Sequence, residues 1–99
     1  MNMYFVQHGI AVAKEVDPDR PLSAEGRREI ESISAYLKKM GVTASRIFHS
    51  GKTRAKETAQ IFSDQIGDGN IYKLSEMRPN DSVKVFATHL ESKDTMYVG

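Results

Sequence analysis

Apolar residues along this chain alternate between two spacings. Short continuous runs, Met3 to Gln7, "RIFHS" at 46–50, "IYKL" at 71–74 and "TMYVG" at 95–99, are separated by stretches in which apolar positions recur every three or four residues. The runs have the length of buried strands, and the intervening spacing is that of helices with one covered face. The first helical stretch, "SAEGRREIESISAYLKKMG", carries Ile30, Ile33, Leu37 and Met40 at that spacing, with Ser23 as N-cap and Gly41 as the stop. The second, "KTRAKETAQIFSDQIG", puts Ala55, Thr58, Ala59, Phe62 and Ile66 on one face and ends at Gly67. After a turn at "RPND", Val83, Phe86, Ala87 and Leu90 mark a third helix. A strand-helix alternation kept up along the whole length predicts an α/β fold with a mostly parallel central sheet.

Ninety-nine residues are enough for one small domain, so residues 1–99 are read as a single unit with no linker or repeat. The final apolar run stops at Gly99, whereas a central parallel strand normally leads into a covering helix, so the expectation is a domain cut short at its C-terminus. The absence of cysteine excludes a disulfide framework, a thiolate metal site and a cysteine nucleophile. No stretch approaches the roughly 20 apolar residues that span a bilayer, and no signal peptide opens the chain, so the expected location is cytoplasmic, without a membrane partner. A net charge of +1 gives no footprint for nucleic acid. Residues 1–56 nonetheless hold ten Lys/Arg against six Asp/Glu, while 57–99 hold four against seven. An anionic ligand is better served by the first half, although ordinary scatter of surface charge gives the same counts.

Ligands of open α/β sheets bind beyond the carboxyl ends of the strands, and there the first run delivers Gln7, His8 and Gly9. A histidine in that place can serve as nucleophile, base or metal ligand, or merely as a turn or packing residue, and a following glycine lets the backbone approach a bound group. The second run ends in "HSGKTRAKET", which brings Ser50, Gly51, Lys52 and Arg54 to the first turn of a helix. A helix N-terminus offers free N–H groups to an anion, and a guanidinium binds phosphate oxygens in pairs. If the two strand tips are adjacent, His8 and Arg54 form a phosphate pocket; the alternative is a solvated basic helix face. "GKT" at 51–53 is not a nucleotide-binding loop, because the glycine required five positions earlier is Arg46. His8, His49 and His89 lack metal-ligand spacing, so no metal is expected, and Glu76 is read as a surface carboxylate rather than a general acid.

Taken together, "VQHGIA", "RPLSAEGRREI" and "IFHSGKTRAKETA" resemble the histidine phosphatase superfamily, in particular its SixA-type phosphohistidine phosphatases. The resemblance implies a three-layer sandwich like that of phosphoglycerate mutase and needs no cofactor. It implies that His8 is the nucleophile that becomes phosphohistidine and that Arg54 clamps the phosphate. Pro21, Leu22, Ser23 and Gly26 match a structural segment that begins the first helix, and Ser50 matches a strand-end serine of less defined role. Two departures stand out. The family's arginine before the catalytic histidine is Gln7 here, which replaces a cation with a neutral donor, and a second catalytic histidine would follow Gly99. The phosphate contacts are therefore expected from Gln7, Gly9, Ser50 and Arg54. The expected substrate is a phosphohistidine-bearing protein, for example a histidine-containing phosphotransfer domain; a small phosphorylated metabolite, or phosphate binding without turnover, are the alternatives.

Overall fold

The computed structural model describes residues 3–74 and 94–99. Their elements run β1 (Met3–Val6), α1 (Ala24–Lys39), β2 (Arg46–His49), α2 (Thr53–Ile66), β3 (Tyr72–Lys73) and β4 (Thr95–Val98). The strands form one sheet in the order β1-β4-β2-β3, with every pairing parallel. This is the α/β architecture with a parallel sheet that the alternating spacings predict. The turn at "RPND", the third helical face, Glu76 and His89 lie outside the described residues, as does any third layer.

Register decides which side chains meet the helices. Tyr4, Met96 and Ile47 align across the sheet, as do Val6, Val98 and His49 one step further on, so these rows share a face. Tyr4, Val6, Ile47, Met96 and Val98 pack there against Ile30 of α1 and Ala55, Ala59 and Phe62 of α2. Alanines at 55 and 59 keep the α2 surface low, so that the helix lies close on β2 and β4. The opposite face carries an aligned row of Phe5, Tyr97, Phe48 and Tyr72, with edge-on contacts between Phe5 and Tyr97 and a tilted contact between Phe48 and Tyr72.

Local signals place both helices well. The Ser23 hydroxyl accepts the Gly26 N–H at 2.9 Å, and Gly41 leaves α1 in the left-handed region at φ 82°. The covered stripe of α1 differs from the expected one. Gly26, Ile30 and Ser34 are buried, whereas Ile33 is 48% and Met40 63% exposed. The reason is close approach at the helix start: a Cβ on Gly26 would lie 2.1 Å from the carbonyl oxygen of Ile10, so the backbone of the preceding loop rests on that position and sets the rotation of the helix. For α2, all the residues of the expected face are buried.

The candidate active site

The tips of β1 and β2 are not adjacent, contrary to the expectation from sequence, because β4 runs between them. Parallel strand order is set by long-range packing, which a chain-order reading does not reveal. Gly99, at the end of β4, links the neighbours: its N–H donates to Val6 O at 3.0 Å, and its carbonyl accepts from His8 N at 2.9 Å. On the other flank, Ser50 N donates to Val98 O at 3.1 Å. The three chain ends thus form one floor at the carboxyl edge of the sheet.

Across this floor His8 and Arg54 do meet. The Arg54 Nε–H donates to His8 Nε2 at 2.9 Å. The other ring nitrogen, Nδ1, lies 2.8 Å from the Gly9 carbonyl oxygen. A carbonyl can only accept, so Nδ1 carries the proton, and Nε2, which receives the arginine's hydrogen, presents a lone pair. This hydrogen-bond pattern corresponds to one imidazole tautomer, with the Nε2 lone pair turned toward the guanidinium.

Gly9 is held in turn. Its N–H donates to Thr58 Oγ1 at 3.1 Å, and a Cβ added there would come within 2.8 Å of the Ile30 side chain. The glycine that sequence reading assigned to ligand approach thus has a packing reason as well: only a bare Cα lets the strand tip sit this close to α1. Thr58, which the sequence presents as one more residue of the buried α2 face, is fully buried and also donates to the Arg54 carbonyl at 2.7 Å. Its hydroxyl, placed one helical turn after Arg54, was the available signal for such a contact. Glu57 was also missed. It accepts from Leu22 N at 2.7 Å and pairs with Arg27 at 3.1 Å, which ties the loop before α1 to α2.

Helix α2 opens the site's other wall. Its N-cap, Lys52, makes no side-chain cap hydrogen bond, and Gly51 precedes it at φ 97°. The turn is fastened by His49, whose Nδ1 accepts the Gly51 N–H at 3.1 Å. Burial, then the charges of Lys56 and Lys73, hold the His49 imidazole below its ordinary 6.5, so it is the neutral acceptor this bond needs. Of the remaining expected contacts, Gln7 is exposed beside His8, while Ser50 Oγ is buried with no hydrogen-bond partner among the described residues. No hydrogen bond joins Gln7 or Ser50 to His8 or Arg54 among the described residues. Among those residues, too, there is no group of three or more His, Cys, Asp or Glu that could hold a metal ion, and no helix long and apolar enough to cross a membrane.

The sequence profile of the histidine phosphatase superfamily (branch 1) matches residues 3–81. The chain belongs to that superfamily. Among solved structures it is similar to a candidate phosphohistidine phosphatase SixA of Agrobacterium tumefaciens, with 25% identity and a TM-score of 0.77 over 98% of this chain and 65% of that one. It also superposes on the protein histidine phosphatase SixA complexed with tungstate, with 21% identity and a TM-score of 0.82, covering 100% of this chain and 69% of that one, a likeness of fold. An uncharacterized protein of Picosynechococcus sp. is 29% identical over 94 residues, which are 92% of this chain and 57% of that protein. The chain therefore spans less than two thirds of the length of the curated relative it matches.

Proposed function

We propose that this protein is a phosphatase that takes a phosphoryl group from a phosphohistidine-bearing protein onto His8 and then releases it by hydrolysis, without a metal. The observation that carries this reading is the His8 imidazole fixed between Gly9 O and Arg54 Nε, with a lone pair on Nε2. As the donor's P–N bond breaks, a P–Nε2 bond to His8 forms, and the departing imidazole takes a proton from solvent. The Arg54 N–H moves from Nε2 to the phosphoryl oxygens, where a guanidinium and an uncapped helix start offset the negative charge. Positive charge then grows on the His8 ring, and the Gly9 carbonyl at Nδ1 stabilises it. In the second step the oxygen of a water molecule bonds to phosphorus as the P–Nε2 bond breaks, the bonding pair returns to Nε2, and the proton that water loses passes to solvent, which restores the neutral His8.

An imidazole leaving group departs without a strong general acid, and this supports phosphohistidine over an alkyl phosphate. The likeness to the candidate phosphohistidine phosphatase of Agrobacterium tumefaciens supports the same reading. The test is to incubate the protein with a phosphohistidine-bearing phosphotransfer domain and look for acid-labile, base-stable phosphate on the enzyme. The label is expected on the wild type and absent from His8→Ala. Label that persists in His8→Ala removes His8 from the role. Label from a small phosphate ester but none from the phosphoprotein favours the metabolite phosphomonoesterase. Binding of phosphate with no label in either case favours a non-catalytic binder, the reading that Gln7 motivates.

A further inference from the structure

The hydrogen bonds around His8 close into a ring in which every donor points the same way. Arg54 Nε gives to His8 Nε2 at 2.9 Å, His8 Nδ1 gives to Gly9 O at 2.8 Å, Gly9 N gives to Thr58 Oγ1 at 3.1 Å, and Thr58 Oγ1 gives to Arg54 O at 2.7 Å. Three of the four positions in this ring belong to residues whose atoms would meet the phosphoryl group or flank the nucleophile. Thr58 does not: it is wholly buried, and its hydroxyl spends its one proton on the Arg54 carbonyl and a lone pair on the Gly9 N–H. We infer that Thr58 is the positioning residue of this site, the one that couples the orientation of the Gly9 peptide, and through it the tautomer of His8, to the backbone that carries Arg54.

The argument is one of donors and acceptors. A backbone hydroxyl bond to the residue four earlier is common in helices and by itself explains nothing here. What is specific is the second bond. A Cβ on Gly9 would run into Ile30, Leu22 and the Gly26 carbonyl, so the strand tip is seated closely on α1, and in that seat Thr58 Oγ1 is the acceptor that the Gly9 N–H meets. The N–H and the carbonyl of Gly9 lie in successive peptide planes that meet at its Cα: Thr58 holds the first plane, the Ile10 backbone seated on Gly26 holds the second, and the two together aim the Gly9 carbonyl at Nδ1. That leaves Nε2 bare, which is the state a nucleophilic imidazole needs. Chains of hydrogen bonds polarise one another, so each member strengthens the next. Replacing the hydroxyl with a methyl keeps the shape and removes both links at once.

The test has a spectroscopic arm that needs no turnover and a kinetic arm that rests on the phosphatase reading. Imidazole nitrogen shifts of the full chain, labelled with nitrogen-15 histidine, are expected to report His8 protonated on Nδ1 alone at neutral pH. Thr58→Val is expected to give a mixture of both tautomers, and Thr58→Ser to restore the single form. In the kinetic arm, misplacement of the nucleophile costs on the order of 100-fold in the rate of phosphoenzyme formation for Thr58→Val, with KM within about threefold and recovery in Thr58→Ser. A wild-type His8 protonated on Nε2 overturns the inference with no variant required, as does a Thr58→Val protein with wild-type tautomer and rate. If the wild type forms no phosphoenzyme, the phosphatase reading fails while the nitrogen shifts still decide the role of Thr58.

Discussion

Helix α1 begins on Ser23, whose hydroxyl takes the Gly26 N–H, and carries Glu25 in its first turn and Lys38 and Lys39 in its last. Helix α2 begins on Lys52 with no side-chain cap, no acidic residue in its first turn and no basic residue in its last. By local rules α1 is complete and α2 is unfinished: caps and end charges contribute up to about 1 kcal/mol each, and α2 forgoes them. The stability of α2 comes instead from burial, since Ala55, Thr58, Ala59, Phe62 and Ile66 are all covered. The difference separates two jobs. On the phosphatase reading, a start that serves only folding satisfies its own N–H groups, while a start beside His8 and Arg54 keeps its N–H groups and a positive end for the phosphoryl group.

One way to sharpen that contrast is to add charge where the site has least. Gln7 is exposed next to His8, and Gln7→Arg adds a cation at that strand tip. Phosphoenzyme formation is expected to rise about tenfold, the size of one charge-assisted contact. Rapid-quench labelling measures it; an unchanged or lower rate means that the α2 start already supplies the neutralisation that Arg54 leaves over.

A pair of substitutions can break the contrast outright. Ser23→Ala removes the α1 cap and is expected to lower stability by about 1 kcal/mol while leaving phosphate affinity unchanged. Lys52→Asp gives α2 the cap it lacks, and is expected to raise stability by up to about 1 kcal/mol while weakening phosphate binding several-fold. Urea unfolding and phosphate titration of the two variants read both quantities. If Lys52→Asp leaves phosphate affinity intact, the open helix start is not part of the binding surface.

The sequence made the local half of this picture legible and left the long-range half dark. The Ser23 cap, the Gly41 stop at φ 82° and the buried face of α2 depend on residues a turn or less apart, and each was readable. The stripe of α1 was misread because Ile33 and Met40 have the right spacing, yet the backbone of Ile10 pressed on Gly26 turns a different side inward. His8 and Arg54, 46 residues apart, were both found as strand-tip residues, but their contact crosses the end of an intervening strand. Thr58 stayed hidden because a threonine on a buried helix face satisfies the apolar pattern whether or not its hydroxyl has work to do. Polarity within a periodic face is the signal to examine in such chains.

The smallest expected effect concerns the turn that holds the α2 start open. His49 is buried, and its Nδ1 must be unprotonated to accept the Gly51 N–H. Its folded-state value lies below the ordinary 6.5, chiefly through burial and then through Lys56 and Lys73, so the unfolded chain takes up a proton more readily than the folded one. Stability from this group is therefore complete above 6.5 and is lost as pH falls toward and through the lowered folded value. In His49→Asn an amide oxygen can accept the same N–H and does not titrate, so the variant's Tm is expected to fall less than that of the wild type between neutral and mildly acidic pH. Because the protonated ring repels the Gly51 N–H rather than binding it, acid should also loosen the turn that presents Arg54. Phosphate affinity measured over the same pH range is thus expected to weaken more in the wild type than in His49→Asn, after allowance for the ionisation of phosphate itself. Equal slopes in the two proteins would separate the turn from the site and leave His49 a packing residue of the helix-covered face.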